Sequence, residues 1–234
     1  MNTLVRMSVI WTWIKVQKFV VMIRENVEEF YRRLAEADPE PKGELNYVNE
    51  YTLLVAVVLS AQATDIGVNR ATKKLFEIAD TPEKMVKLGK RKLISHIKTI
   101  GLYRTKAQNV IGLSKKLIAD HESKVPKDRD ALIKLPGVGR KTANVVLNIA
   151  FGFPTIAVDT HIFRIGNRTG IARGKNVDIV ERGLLKKTPE KYMLHAHHWL
   201  ILHGRYVCKA RKPNCPDCML SDLCQYKEKT MLAL

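Results

Sequence analysis

No stretch of this chain is both long and apolar enough to span a bilayer. The apolar run Tyr51–Ala63 is too short for that and fits a buried helix. Residues 8–23, SVIWTWIKVQKFVVMI, are interrupted by Lys15 and Lys18 and lead to no small-residue cleavage site, so no secretory leader is expected. Strand signals are missing too: there is no series of alternating polar and apolar residues, and no long-period internal repeat. Cysteine is scarce, and its four copies all fall within residues 208–224. Acidic residues are in short supply, with 23 Asp and Glu against 40 Lys and Arg, for a net charge of +17. Such an imbalance points to a polyanionic partner, either nucleic acid or an anionic membrane, with charge carried for solubility as the alternative.

What is present reads almost entirely with helical period. Apolar residues recur on one face over 24–37, 50–61, 66–79, 83–88, 91–98, 104–119, 142–151, 160–170, 177–187 and 190–203. Breakers separate them, among them Pro39, Pro41, Gly101, Pro126, Pro136–Gly137, Pro154 and Pro189. The expected fold is all-α. Residues 1–21 stand apart, with Trp11 and Trp13 ahead of a second plausible start at Met22. They are expected to be a poorly ordered or non-native extension, with a partner-binding helix as the alternative.

The segment Leu135-Pro136-Gly137-Val138-Gly139-Arg140 lies between two helical stretches. Pro136 and Gly137 end the first. Gly139 lets backbone approach a ligand closely, and Val138 packs inward. Free amides at a glycine turn that opens a helix make a phosphate cradle. This is the pattern of a helix-hairpin-helix, which grips DNA backbone without reading sequence. An ordinary helix–helix turn is the plainer alternative, and the charge of the chain favours DNA.

Lys141 stands at the start of the next helix. A cation there opposes the helix dipole, and Arg140 adds like charge; both favour the neutral amine, the form that attacks carbon. A phosphate-binding lysine would tolerate the same place. Asp159 follows the apolar run 155–158 and precedes the helix 160–170, where Asp is a preferred N-cap. One side chain can cap and still act as a catalytic carboxylate.

Cys208, Cys215, Cys218 and Cys224 are spaced C-x6-C-x2-C-x5-C. In a reduced cytoplasmic setting such crowding points to a metal site rather than disulfides. The spacing is not the two-knuckle zinc pattern, nor the ferredoxin run, so iron–sulfur leads and zinc stays open. Lys209, Arg211 and Lys212 fill the loop between the first two cysteines and would form a phosphate-binding finger or a solvated loop.

Together these residues resemble the endonuclease III family of helix-hairpin-helix base-excision DNA glycosylases. The resemblance rests on LSAQATD at 59–65, KTIGLYRTKA at 98–107, LPGVGRKTANVVLN at 135–148 with PTIAVDTHIFR at 154–164, and HHWLILHGRYVC with the cysteine cluster. It runs from about Met22 to Lys229. It implies two α domains flanking a groove: a six-helix barrel over 43–153, and an iron–sulfur domain made of 22–42 plus 154–234. It implies that Lys141 is the Schiff-base lysine and Asp159 the catalytic aspartate, that Gln62 fills the gap left by a flipped nucleotide, and that Leu102 wedges the opposite strand. It implies a [4Fe–4S] cluster on the four cysteines. It also implies a nucleoid-associated monomer acting on damaged or abasic duplex DNA, with no membrane partner. The DNA-contacting set is then Gln62, Leu102, Gly137, Val138, Gly139, Arg140, Lys209, Arg211 and Lys212. A monofunctional mismatch glycosylase of the same fold is disfavoured by Lys141, and a non-catalytic DNA-binding protein by the pairing of Lys141 with Asp159.

Overall fold

The computed structural model describes residues 22–230 and is helical, with no strand among the described residues. The expectation for residues 1–21 lies outside them. No described helix is long and apolar enough to cross a membrane.

Among the described residues ten α-helices follow in order: α1 (Arg24–Ala37), α2 (Glu50–Ser60), α3 (Asp65–Ile78), α4 (Pro82–Ile97), α5 (Tyr103–Asp120), α6 (Arg129–Ile133), α7 (Arg140–Phe151), α8 (Thr160–Thr169), α9 (Val177–Lys187) and α10 (Met193–Tyr206). Their starts follow capping chemistry. Asn49 and Thr52 form a capping box on α2, Thr64 caps α3, Thr81 caps α4 ahead of Pro82, and Asn176 caps α9. The stretches 83–88 and 91–98 join into one element bent at Gly89, whose φ of 79° breaks helical geometry between them. Helix α6 has five residues, too few to show a period, and its Asp128 cap is its main sequence signal.

Buried side chains form two clusters. In the first, α2 is enclosed on all sides, Tyr51 through Leu59 being buried, and packs with α3, α5 and α7. The second joins Val27, Phe30, Tyr31 and Leu34 of α1 to Ile162 and Ile165 of α8, Leu184 of α9, and Trp199 and Leu200 of α10. Tyr31 ties the ends of that cluster together through a 2.8 Å hydrogen bond between its hydroxyl and that of Thr188. Burying side chains of this size contributes about 1.5–3 kcal/mol each. Helices α7 and α10 come from different clusters, and a cavity lies between them.

Candidate active site

Helix α7 begins without a side-chain cap. Its N-cap is Gly139, and its first turn carries Arg140 and Lys141 with no acidic residue. In the preceding hairpin, Gly137 sits at φ 77°, and a Cβ there would meet the Asn109 side chain at 2.7 Å, so glycine is required. A Cβ on Gly139 would meet nothing within 4 Å, which leaves the surface beside the first amides of α7 open. Val138 is buried in the first cluster and its amide donates to the Leu135 carbonyl at 3.1 Å, so it locks the turn.

Helix α8 begins in the opposite way. Asp159 caps it, with Oδ1 accepting the amides of His161 and Ile162 at 2.9 Å each. Its other oxygen, Oδ2, lies 3.8 Å from Nζ of Lys141. The carboxylate is 11% exposed and the lysine 55% exposed, so a nearly buried, immobilised acid faces an accessible amine. The capping role and the role opposite Lys141 fall on different oxygens of one side chain.

Lys141 also lines the cavity between α7 and α10, whose volume is about 590 Å³. Gln62, Asn148, His197, His198 and Arg205 contribute to its walls. His197 is fully enclosed and its Nδ1 has no hydrogen-bond partner among the described residues. Burial first, then the charges of His198, Lys141 and Arg205, push its pKa down to about 3, so the ring is neutral. At the cavity mouth Arg205 pairs with both Glu44 and Asp65.

Gln62 and Leu102 occupy adjacent exposed loops: a Cβ on Gly101 would lie 3.7 Å from the carbonyl oxygen of Gln62. Both have left-handed backbone, at φ 54° and 58°, unusual for residues other than glycine. Leu102 is 58% exposed despite being large and apolar. Strained backbone that projects such a side chain into solvent is a common mark of a contact site.

The four cysteines line one further cavity together with His203 and Leu220. None is in a disulfide. Helix α8 holds their loop: Arg164 donates to the carbonyls of Cys208 (2.9 Å) and Gly204 (2.7 Å), and Arg168 to those of Lys209 (2.6 Å) and Ala210 (3.0 Å). Arg168 also reaches Sγ of Cys208 at 3.7 Å, and the Tyr226 amide reaches Sγ of Cys224 at 3.5 Å. Burial pushes the thiols of Cys218 and Cys224 up, and the neighbouring sulfurs add to this. Among the described residues no group of three or more His, Cys, Asp or Glu is placed to hold a metal ion. Lys209, Arg211 and Lys212 are exposed on this loop, Lys212 at φ 47°.

The structure therefore brings Lys141 to Asp159 and to a cavity, gathers the cysteines, and sets Gln62 beside the Leu102 loop. Arg140, expected to add like charge beside Lys141, is itself paired with an acid. Its guanidinium is committed to buried Glu181, Nη2 to Oε1 at 2.6 Å and Nε to Oε2 at 3.2 Å. Sequence reasoning missed Glu181, His197, Arg164 and Arg168. His197 and Arg164 lie inside quoted motifs, whereas nothing local marks Glu181.

Comparison with known proteins bears on this geometry. Residues 55–190 match the model of the HhH-GPD superfamily base excision DNA repair proteins. Endonuclease III of Escherichia coli (strain K12) is 58% identical over 201 residues, 86% of this chain and 95% of its own. The chain belongs to the endonuclease III family. The endonuclease III of Rickettsia felis is 56% identical over 207 residues, covering 88% of this chain and 97% of its own. A solved endonuclease III in a trapped covalent intermediate with DNA superposes with a TM-score of 0.82 at 45% identity, covering 88% of this chain and 97% of that one. A thermostable thymine-DNA glycosylase superposes at 0.78 with 26% identity, over 88% of this chain and 98% of its own.

Proposed function

We propose that this protein, like the endonuclease III it resembles in a covalent complex with DNA, is a bifunctional DNA glycosylase and AP lyase that removes oxidised pyrimidines from duplex DNA. The observation that carries this reading is the 3.8 Å approach of Lys141 to Asp159 at the edge of a cavity. Lys141 supplies what a monofunctional glycosylase would not need.

The hairpin amides, that of Arg140 among them, with Lys209, Arg211 and Lys212, hold the duplex by its phosphates. A damaged pyrimidine stacks poorly and is extruded at smaller cost than a normal base. Gln62 and Leu102 occupy the vacated stack. The neutral amine of Lys141 attacks C1′, the C1′–N bond breaks, and the base leaves with its electron pair. The amine has lost its proton to Asp159 Oδ2 or to water. Loss of the ring oxygen from C1′ gives an iminium, which acidifies the C2′ proton. Its removal drives β-elimination, breaking the bond from C3′ to the 3′ phosphate. Asp159 stabilises the positive charge that develops at C1′.

We assign a [4Fe–4S] cluster to Cys208, Cys215, Cys218 and Cys224. Enclosure of four sulfurs around one cavity and N–H donors aimed at two of them support this. Four cysteine ligands leave no open position, so the group would act as a staple for the basic loop and take no part in bond cleavage. The two buried clusters correspond in this proposal to a barrel over 43–153 and a second domain of 22–42 plus 154–234, with 1–21 an extension. The protein is proposed to act as a cytoplasmic, nucleoid-associated monomer.

The test is a thymine-glycol or abasic duplex with borohydride. The wild type should yield a covalent adduct and a nicked strand, and Lys141→Gln neither. Normal nicking by Lys141→Gln would overturn the reading.

A further inference from the structure

Glu181 is the one buried carboxylate among the described residues, its side chain 7% exposed. A glutamate is almost never enclosed unless paired, because removing its charge from water is costly. This one lies on α9, whose Val180 and Leu184 belong to the second buried cluster, and reaches α7, which belongs to the first. It takes both Nε and Nη2 of Arg140, the residue next to Lys141, and the side-chain amide of Asn144 one turn further along α7 at 3.3 Å.

Asn144 carries the connection onward. Its carbonyl accepts the Thr155 hydroxyl at 2.6 Å, and its Nδ2 lies 3.5 Å from the carbonyl of Ile156. Thr155 and Ile156 belong to the extended segment that delivers Asp159. A continuous polar seam thus runs from Glu181 through the first two turns of α7 to the approach of Asp159. It joins the two elements whose relative placement sets the Lys141–Asp159 separation. The packed clusters alone do not fix that separation, since each of the two residues belongs to a helix of a different cluster.

We infer that Glu181 is a positioning residue for the lysine chemistry: by anchoring Arg140 and Asn144 it holds the start of α7 so that Lys141 faces Asp159. It touches neither substrate nor reacting atom. A buried, paired charge suits this task because removing one partner penalises other arrangements strongly, which favours a single register. The inference rests on Lys141 being the nucleophile.

The experiment measures single-turnover borohydride capture of abasic duplex, affinity for a duplex bearing a tetrahydrofuran analogue of the abasic site, and melting temperature. Glu181→Gln preserves shape and should slow capture about tenfold or more while leaving affinity for the analogue within about twofold. Asn144→Asp/Glu181→Gln restores a carboxylate beside Arg140 from the other side of the seam and should recover part of the lost rate. Capture at the wild-type rate by Glu181→Gln overturns the inference. So does a loss of capture matched by an equal loss of affinity and of melting temperature, which marks a merely structural pair. Lys141→Gln in the same assay separates the two claims: if it captures DNA, the nucleophile assignment fails, and if it is inert while Glu181→Gln is normal, only the positioning role fails.

Discussion

Helices α7 and α8 meet at Lys141 and Asp159, and they start in opposite ways. The start of α8 is closed: Asp159 satisfies two of its free amides, and its negative charge suits the positive end of the helix dipole. The start of α7 is open: it has a glycine cap, no capping side chain, two cations and no acid in its first turn. By the rules of helix stability α8 begins well and α7 begins poorly. The closed start fixes a carboxylate in place, while the open start leaves amides and an amine free for a polyanion. Stability accounts for one helix start and a ligand for the other.

Asp159 is the sharpest place to break the contrast. Asn caps as well as Asp, so Asp159→Asn should change stability by less than about 0.5 kcal/mol. Its excision rate should fall by roughly 10²–10⁴, the usual range for a positioned acid–base group. Asp159→Ala should lose the same activity and in addition about 1 kcal/mol of stability in denaturant melts. Equal activity in Asp159→Asn and wild type would reduce this residue to a cap.

The hairpin glycines should separate fold from binding. Gly137→Ala forces alanine to φ 77° and against Asn109, and should cost about 1–2 kcal/mol or more in stability. Gly139→Ala has open space for its methyl group and should leave melting nearly unchanged, while weakening abasic-duplex affinity roughly fivefold through one impaired phosphate contact. The reverse pattern would mean that the open start of α7 does not face DNA.

A further effect concerns pH. The folded pKa of His197 lies near 3, below the ordinary 6.5, so between these values the unfolded chain binds a proton that the folded ring refuses. Its contribution to stability is therefore full above pH 6.5 and declines as the pH falls toward 3, by at most about 1.4 kcal/mol per unit. His197→Gln should flatten the fall in melting temperature over that window relative to wild type.

Most helices were legible because their apolar period matches the buried faces, as with Val27, Phe30, Tyr31 and Leu34 on α1. Helix α6 was not, since five residues carry no period. Lys141 and Asp159 each announced a helix start, but their approach across 18 positions was implied only by family resemblance. Gln62 and Leu102 had no local signal either, because left-handed backbone at ordinary residues is imposed by the surrounding loops. Arg140 was legible as a cation but its pairing was not, because its partner Glu181 lies 41 residues away and only the tertiary fold brings them together.

The most direct measurement is the mapping of the covalent bond. Borohydride-reduced conjugate with abasic duplex, digested and read by mass spectrometry, should place the deoxyribose remnant on the Nζ of Lys141. Attachment at another of the chain's lysines, or at the amino terminus, would contradict the account.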